Sequence, residues 1–266
     1  MNKIFKKENR ALLRELVATD FKLRYQGSVL GYAWSLLKPM MMFAILYLVF
    51  VKFLRIGSAV PNYPIYLLFG IVVWNFFTEM TGLGLGAIVA RGDLIRKIRI
   101  PRWLIIVSTS ITALINLMLN MIVVFVFMLV SRMDLIITSP LVIVYLLEIY
   151  LFSLGISLFL SAAYVRLRDI SHIWDVAIQA GFYLTPILYP LSVIQNSDIQ
   201  KLLLLNPLAQ AVQDAREVLV TKTTIAPRDV FSNPFLIAIP YLIVLITLSL
   251  GLLYFKKHAR TFAEDI

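Results

Sequence analysis

Residues Arg91–Trp103 read RGDLIRKIRIPRW, and this stretch decides the fold. It packs Arg91, Arg96, Lys97, Arg99 and Arg102 into a short loop between two long apolar runs. Lys and Arg concentrate in cytoplasmic loops, so the stretch sets its own side of a membrane and, by alternation, the side of every other loop.

The bulk composition requires that membrane. The chain of 266 residues is 60% hydrophobic and 15% charged, with a mean hydropathy of +0.85. A soluble domain is about half apolar and about a quarter charged. Length allows one bundle, a single transmembrane domain over 1–266. The absence of cysteine excludes disulfides, thiolate metal sites and cysteine nucleophiles. His172 and His258 are the only histidines and lie far apart, so neither a histidine metal cluster nor a His-based triad is expected. The net charge of +10 does not indicate nucleic acid, because no basic region outside the membrane is long enough to form a reading module. The opening MNKIFKKENR is basic but has no apolar core after it, so insertion is expected to use the first true span rather than a cleaved leader.

Six apolar runs, at 32–51, 65–89, 103–130, 140–165, 173–191 and 235–255, each approach or exceed the ~20 residues that cross ~30 Å of hydrocarbon. The fifth is the weakest, since it holds Asp175 and Gln179 and is interrupted by Pro186 and Pro190. Before the first, residues 9–24 form an amphipathic helix with Leu12, Leu13, Leu16, Val17 and Phe21 at helical spacing. It either lies in the membrane interface or caps another subunit, and the two readings are compatible. Seventeen Lys and Arg fall on the side of the Arg91 loop and seven on the other, which puts both termini in the cytosol. Trp34, Trp103 and Trp174 then sit at cytoplasmic ends, where tryptophan anchors spans. The outer segment 192–233 is too long for a turn. Asn206-Pro207 starts a helix running to about Val220. Together with Pro186 and Pro190 this reads either as re-entrant helices beside an internal passage or as a surface-lying pair.

Charges inside apolar runs need a reason, since each costs ~2.5–3.5 kcal/mol at the bilayer centre. Lys38 lies near a cytoplasmic end and can snorkel. Asn75, Glu79, Gly82 and Gly86 share a face of the second span, and Ser108, Thr112, Asn116 and Asn120 form a stripe on the third. Close packing of these stripes, with Glu79 bonded to the Asn116 stripe in a structural role, is expected. Glu148 either lines a polar path or pairs within the bundle. Asp175, Gln179 and Tyr183 share a face that is either a pore stripe or a subunit contact. Aromatic rings stack on sugar C–H faces, which adds Trp34, Tyr47, Trp74, Phe77 and Tyr189 as candidate channel-lining residues. No GxxxxGK[ST] occurs, no catalytic constellation is expected, and no metal site is expected.

An ordered set of short motifs resembles the membrane subunits of polysaccharide-exporting ABC transporters, the family of O-antigen, capsule, teichoic acid and rhamnan exporters. The motifs are Arg24-Tyr25-Gln26-Gly27-Ser28-Val29-Leu30-Gly31-Tyr32-Ala33-Trp34, Leu94-Ile95-Arg96-Lys97 with Pro101, Arg168-Asp169-Ile170, Pro186-Ile187-Leu188-Tyr189-Pro190, and Asn206-Pro207 with Arg216. They span nearly the whole chain. The resemblance implies an all-α integral membrane protein of six transmembrane helices with an N-terminal interface helix and re-entrant outer helices. It implies a homodimer in the bacterial cytoplasmic membrane. Two separate ATPase subunits would hold ATP and Mg, with no cofactor in this chain. The implied substrate is a lipid-linked glycan. It maps a coupling helix onto Asp93, Leu94, Ile95, Arg96 and Lys97 within the loop 91–102, and an outer gate onto 192–233. Gly92-Asp93 departs from the usual Asn at that helix start, where Asp93 caps equally well. The same loop also serves as a plain positive-inside anchor. Alternative functions are a small-molecule or drug ABC export permease and, from another class, an ATPase-independent glycosyltransferase or flippase.

Overall fold

The computed structural model describes residues 7–25, 31–55, 60–97, 100–133, 138–259 and Phe262. Gln26–Leu30 of the first motif and Arg99 of the basic loop lie outside them. The helices are α1 (Lys7–Tyr25), α2 (Trp34–Leu46), α3 (Tyr63–Ala90), α4 (Gly92–Lys97), α5 (Trp103–Val130), α6 (Val142–Arg166), α7 (Ile170–Leu184), α8 (Ser197–Leu204), α9 (Pro207–Leu219), α10 (Pro227–Val230) and α11 (Pro234–His258). Beyond Leu46, α2 continues in wider π-helical turns over Tyr47–Phe53. The described elements are all helical.

Five stretches are long and apolar enough to cross a membrane: Trp34–Phe53, Tyr63–Ala90, Trp103–Val130, Ser139–Arg166 and Pro234–His258. The run 173–191 is not among them. Its helix, α7, has 15 residues, about 22 Å, and stops at Leu184 ahead of Pro186.

The axis of the bundle is α3. Leu67, Phe69, Val73, Met80 and Ile88 are fully buried, because α5 packs on one side of α3 and α6 on the other. α11 packs on the far side of α6. That crossing is backbone on backbone: a Cβ at Gly251 would strike the main chain of Gly155, and one at Gly155 would lie 2.7 Å from Leu248. α3 meets α6 at Gly84, where a Cβ would sit 2.6 Å from that of Ser157. Gly82 and Gly86, expected to provide close packing, instead face open space, with nothing within 4 Å of a Cβ at either.

Asparagines start three of the later helices. Asn196 accepts from Asp198 N (2.8 Å), Asn206 from Leu208 N (3.1 Å) and Asn233 from Phe235 N (3.0 Å). Each satisfies an end donor that has no partner within its helix. Pro207 and Pro234 occupy the first helical position of α9 and α11, where a missing N–H costs nothing.

Candidate functional site

At the basic end, α4 stands on a greasy foot. Ile95 is buried with Ile88, Ile105, Ile106, Leu158 and Phe255. Asp93, Arg96 and Lys97 are exposed, and Leu94 is half-buried. Of the five coupling residues named from sequence, Ile95 therefore faces inward and the other four form the surface. Arg96 pairs with Asp93 at 3.3 Å, an exposed contact worth well under ~1 kcal/mol. Arg91, just before α4, ion-pairs with Asp20 of α1 and donates to Ser108 Oγ of α5 (2.9 Å). So α1, the loop and α5 are tied at one point. α1 itself packs along α5 with Leu16 inward and Arg10, Arg14, Glu15 and Lys22 outward.

Between α2, α3 and α5 lies a cleft of about 530 Å³. Its polar lining includes Lys38, Asn75, Glu79, Asn116 and Asn120, with Trp34 at its rim. Asn116 Nδ2 donates to Glu79 Oε1 (2.6 Å), and Asn120 Nδ2 donates to Asn116 O (2.8 Å) and Ser35 O (3.3 Å). The structure thus brings Glu79 and the third-span stripe together.

The aromatic candidates divide. Trp74 and Phe77 are 7% and 6% exposed. They are packed in a ring cluster with Phe152, Trp174 and Phe182 at centroid distances of 5.5–6.1 Å. This corrects their assignment as channel-lining residues, since both rings are buried between α3, α6 and α7. α7 docks on that cluster through Trp174, Ile178 and Phe182, one residue per turn, and Trp174 Nε1 donates to Thr81 Oγ1 (3.2 Å). Asp175, Gln179 and Tyr183 are exposed on α7. Tyr47 is half-buried beside Phe43, and Tyr189 donates from its hydroxyl to Tyr183 O (2.9 Å).

After α7 the backbone is irregular through Thr185–Pro190 yet almost wholly buried. Buried carbonyls away from water need partners. Arg216 of α9, completely buried, supplies them. Nε donates to Tyr66 O (3.1 Å), Nη1 to Pro186 O (2.5 Å) and Nη2 to Ile187 O (2.9 Å). The Tyr63 hydroxyl takes Leu188 O. The guanidinium also stacks 3.6 Å from the Tyr66 ring centroid, in space left by Gly70, where a Cβ would strike it. Sequence reading placed Arg216 in a motif without a role. Its signal was a lone arginine on a face that otherwise holds Ala209, Val212 and Leu219, with Gln213 one turn before it as the other polar residue. Two residues before it in α9, Asp214 accepts from Gln210 Nε2 (2.6 Å) and Tyr241 OH (3.4 Å). Burial pushes its carboxyl above the usual carboxylate range, and those hydrogen bonds oppose the shift. Both carboxylate oxygens of Glu148 are buried beside Gln210 and Asp214 without hydrogen-bond geometry to them.

The family model described as ABC-2 type transporter matches residues 11–220, most of the chain and every feature above from α1 to α9. The chain belongs to the ABC-2 type transporter family. It is therefore a multi-pass membrane permease of an ABC transporter, a transport component whose class works with an ATPase partner. It is 34% identical over 207 residues to the O-antigen export system permease protein RfbA of Myxococcus xanthus, covering 75% of this chain and 76% of that one. It is 28% identical over 258 residues to the protein of the same name from Klebsiella pneumoniae, covering 95% and 94%. In this ABC-2 permease the exposed surface of α4 is the compact basic feature at the loop end, and the Arg216 clamp holds the break after α7.

Proposed function

We propose that this chain is the membrane half of an exporter that moves a lipid-linked polysaccharide across the bacterial cytoplasmic membrane. The observation that carries the reading is the similarity over nearly the full length to permeases named for O-antigen export. Two copies form the passage, and the faces of α2 and α7 left exposed among the described residues are the surfaces available for pairing. Two separate ATPase subunits bind ATP and Mg and dock at Asp93, Leu94, Arg96 and Lys97. The sequence holds no phosphate-binding GxxxxGK[ST] loop of its own.

With both termini cytosolic, the chain must cross an even number of times. α7 and the buried segment Thr185–Pro190 together supply the sixth crossing. This is possible because Arg216 and Tyr63 satisfy that segment's carbonyls. α8 and α9 then form the outer gate.

The test is depletion of the protein in the cell. Polyprenyl-linked glycan is expected to accumulate on the cytosolic side while surface glycan falls. Normal surface glycan with no internal accumulation refutes the reading, and loss of resistance to small toxic compounds instead would indicate a drug exporter.

A further inference from the structure

We infer that the cleft between α2, α3 and α5 is a saccharide-binding subsite that takes a neutral sugar unit of the exported glycan; this rests on the function proposed above. Position makes the cleft unusual. Asn116 stands near the middle of α5, roughly 20 Å from either end. The cleft runs from there to the first turn of α2 at Trp34 and Ser35, a polar hollow that opens at the start of a span and reaches inward between the helices. Its volume of about 530 Å³ falls within the ~300–1,000 Å³ of small-ligand pockets.

One atom points to the occupant directly. Asn116 is 2% exposed, its Nδ2 is used by Glu79, and its Oδ1 is buried with no hydrogen-bond partner. An acceptor left open beside a cleft calls for a donor from the ligand. The surrounding charge narrows the class. Lys38 and Glu79 line the same cleft, so a phosphate meets Glu79 and a cation meets Lys38. A polyol suits both, since its hydroxyls donate to Glu79 and to Asn116 Oδ1 and accept from Lys38 and the Asn75 amide. Trp34, 45% exposed at the rim, adds an aromatic surface for sugar C–H groups. Gly82 completes the hollow, because a Cβ there would meet no other part of the described residues within 4 Å.

The experiment uses the permease assembled with its ATPase subunits in lipid nanodiscs. The probes are oligosaccharides released by mild acid from the host's own polyprenyl-linked glycan, with sugar-free polyprenyl pyrophosphate and inorganic pyrophosphate alongside. Binding is read by saturation-transfer NMR, and folding by melting temperature. The oligosaccharide is expected to bind the wild type. Asn75→Ala should weaken it at least tenfold and Gly82→Leu should abolish it, with melting temperatures unchanged. Gly82→Leu fills the hollow without a clash at Cβ; if it nonetheless fails to fold, Asn75→Ala decides.

Binding of the pyrophosphates but not the sugar overturns the inference, as does wild-type sugar affinity in both variants. Gly82→Leu changing only the oligomeric state also overturns it, since a second copy would then fill the cleft. Glycan that accumulates on depletion, yet is exported at the wild-type rate by both variants, sinks the subsite alone. Glycan that never accumulates sinks the function itself.

Discussion

Arg216 shows how one side chain licenses irregular backbone at a buried site. Three backbone carbonyls, on Tyr66, Pro186 and Ile187, depend on its fork of donors. Arg216→Ala strands all three at ~1–3 kcal/mol each, so a loss of about 3 kcal/mol or more is expected in detergent-solubilised unfolding. Arg216→Lys keeps the charge but offers one compact ammonium in place of a planar fork, and is expected to stay well below wild type. Gly70→Ala should mimic the loss without touching Arg216, by evicting the guanidinium. Asp214 gives a separate test through pH. Its folded carboxyl is raised, chiefly by burial, so the folded state holds the proton more firmly than the unfolded chain. That contribution is fully present below the ordinary carboxylate range and is lost as pH climbs through it towards the raised value. Melting temperatures should therefore slope downward from this group as pH rises above the ordinary carboxylate range, and Asp214→Asn should flatten that slope.

Among the elements, α4 separates anchoring from contact within two adjacent residues. Ile95→Ala opens a cavity in the inner core and is expected to cost about 2–5 kcal/mol. Leu94→Ala should change stability by no more than about 0.5 kcal/mol. If α4 transmits force, Leu94→Ala should nevertheless lower ATPase stimulation and export, and full retention of both would leave the loop a mere positive-inside anchor. The Asp20–Arg91 pair extends this element, because α1 cannot shift along α5 without breaking a tie to the start of α4. α7 shows what spacing can and cannot give. Asp175, Gln179 and Tyr183 were expected to share a face, and all three are exposed, while Trp174, Ile178 and Phe182 form the docking face. Spacing identifies which residues share a face, and only the neighbours decide which face is buried.

At the scale of the molecule, orientation is testable because the chain has no cysteine. A cysteine at Lys97 should be shielded from an impermeant maleimide in intact cells, and one at Lys222 should label; the reverse pattern would invert every loop. The long apolar helices were legible because hydropathy over ~20 residues measures transfer into lipid directly. The Asn206-Pro207 start of α9 was legible because capping is a local event. What lay beyond the sequence was pairing at long range. Gly82 and Gly86 have the spacing of a helix contact, while the contacts are made by Gly84, Gly155 and Gly251. A glycine's use depends on which helix arrives opposite it. The cleft was invisible for the same reason, since Asn75, Glu79 and Asn116 look alike whether they close on one another or line a hollow.

The clamp at Arg216 also orders events in time. Its partner Tyr66 lies 150 residues earlier in the chain, so the ribosome delivers α3 long before the arginine that completes it. Until α9 emerges, the notch at Gly70 is vacant and the carbonyls of Pro186 and Ile187 lack the donors that hold them. Proteins truncated before Arg216 should insert their first spans normally yet remain open at the outer face to added protease. That face would then close only once α9 has arrived, late in the chain's synthesis and with α11 alone among the long apolar helices still to come.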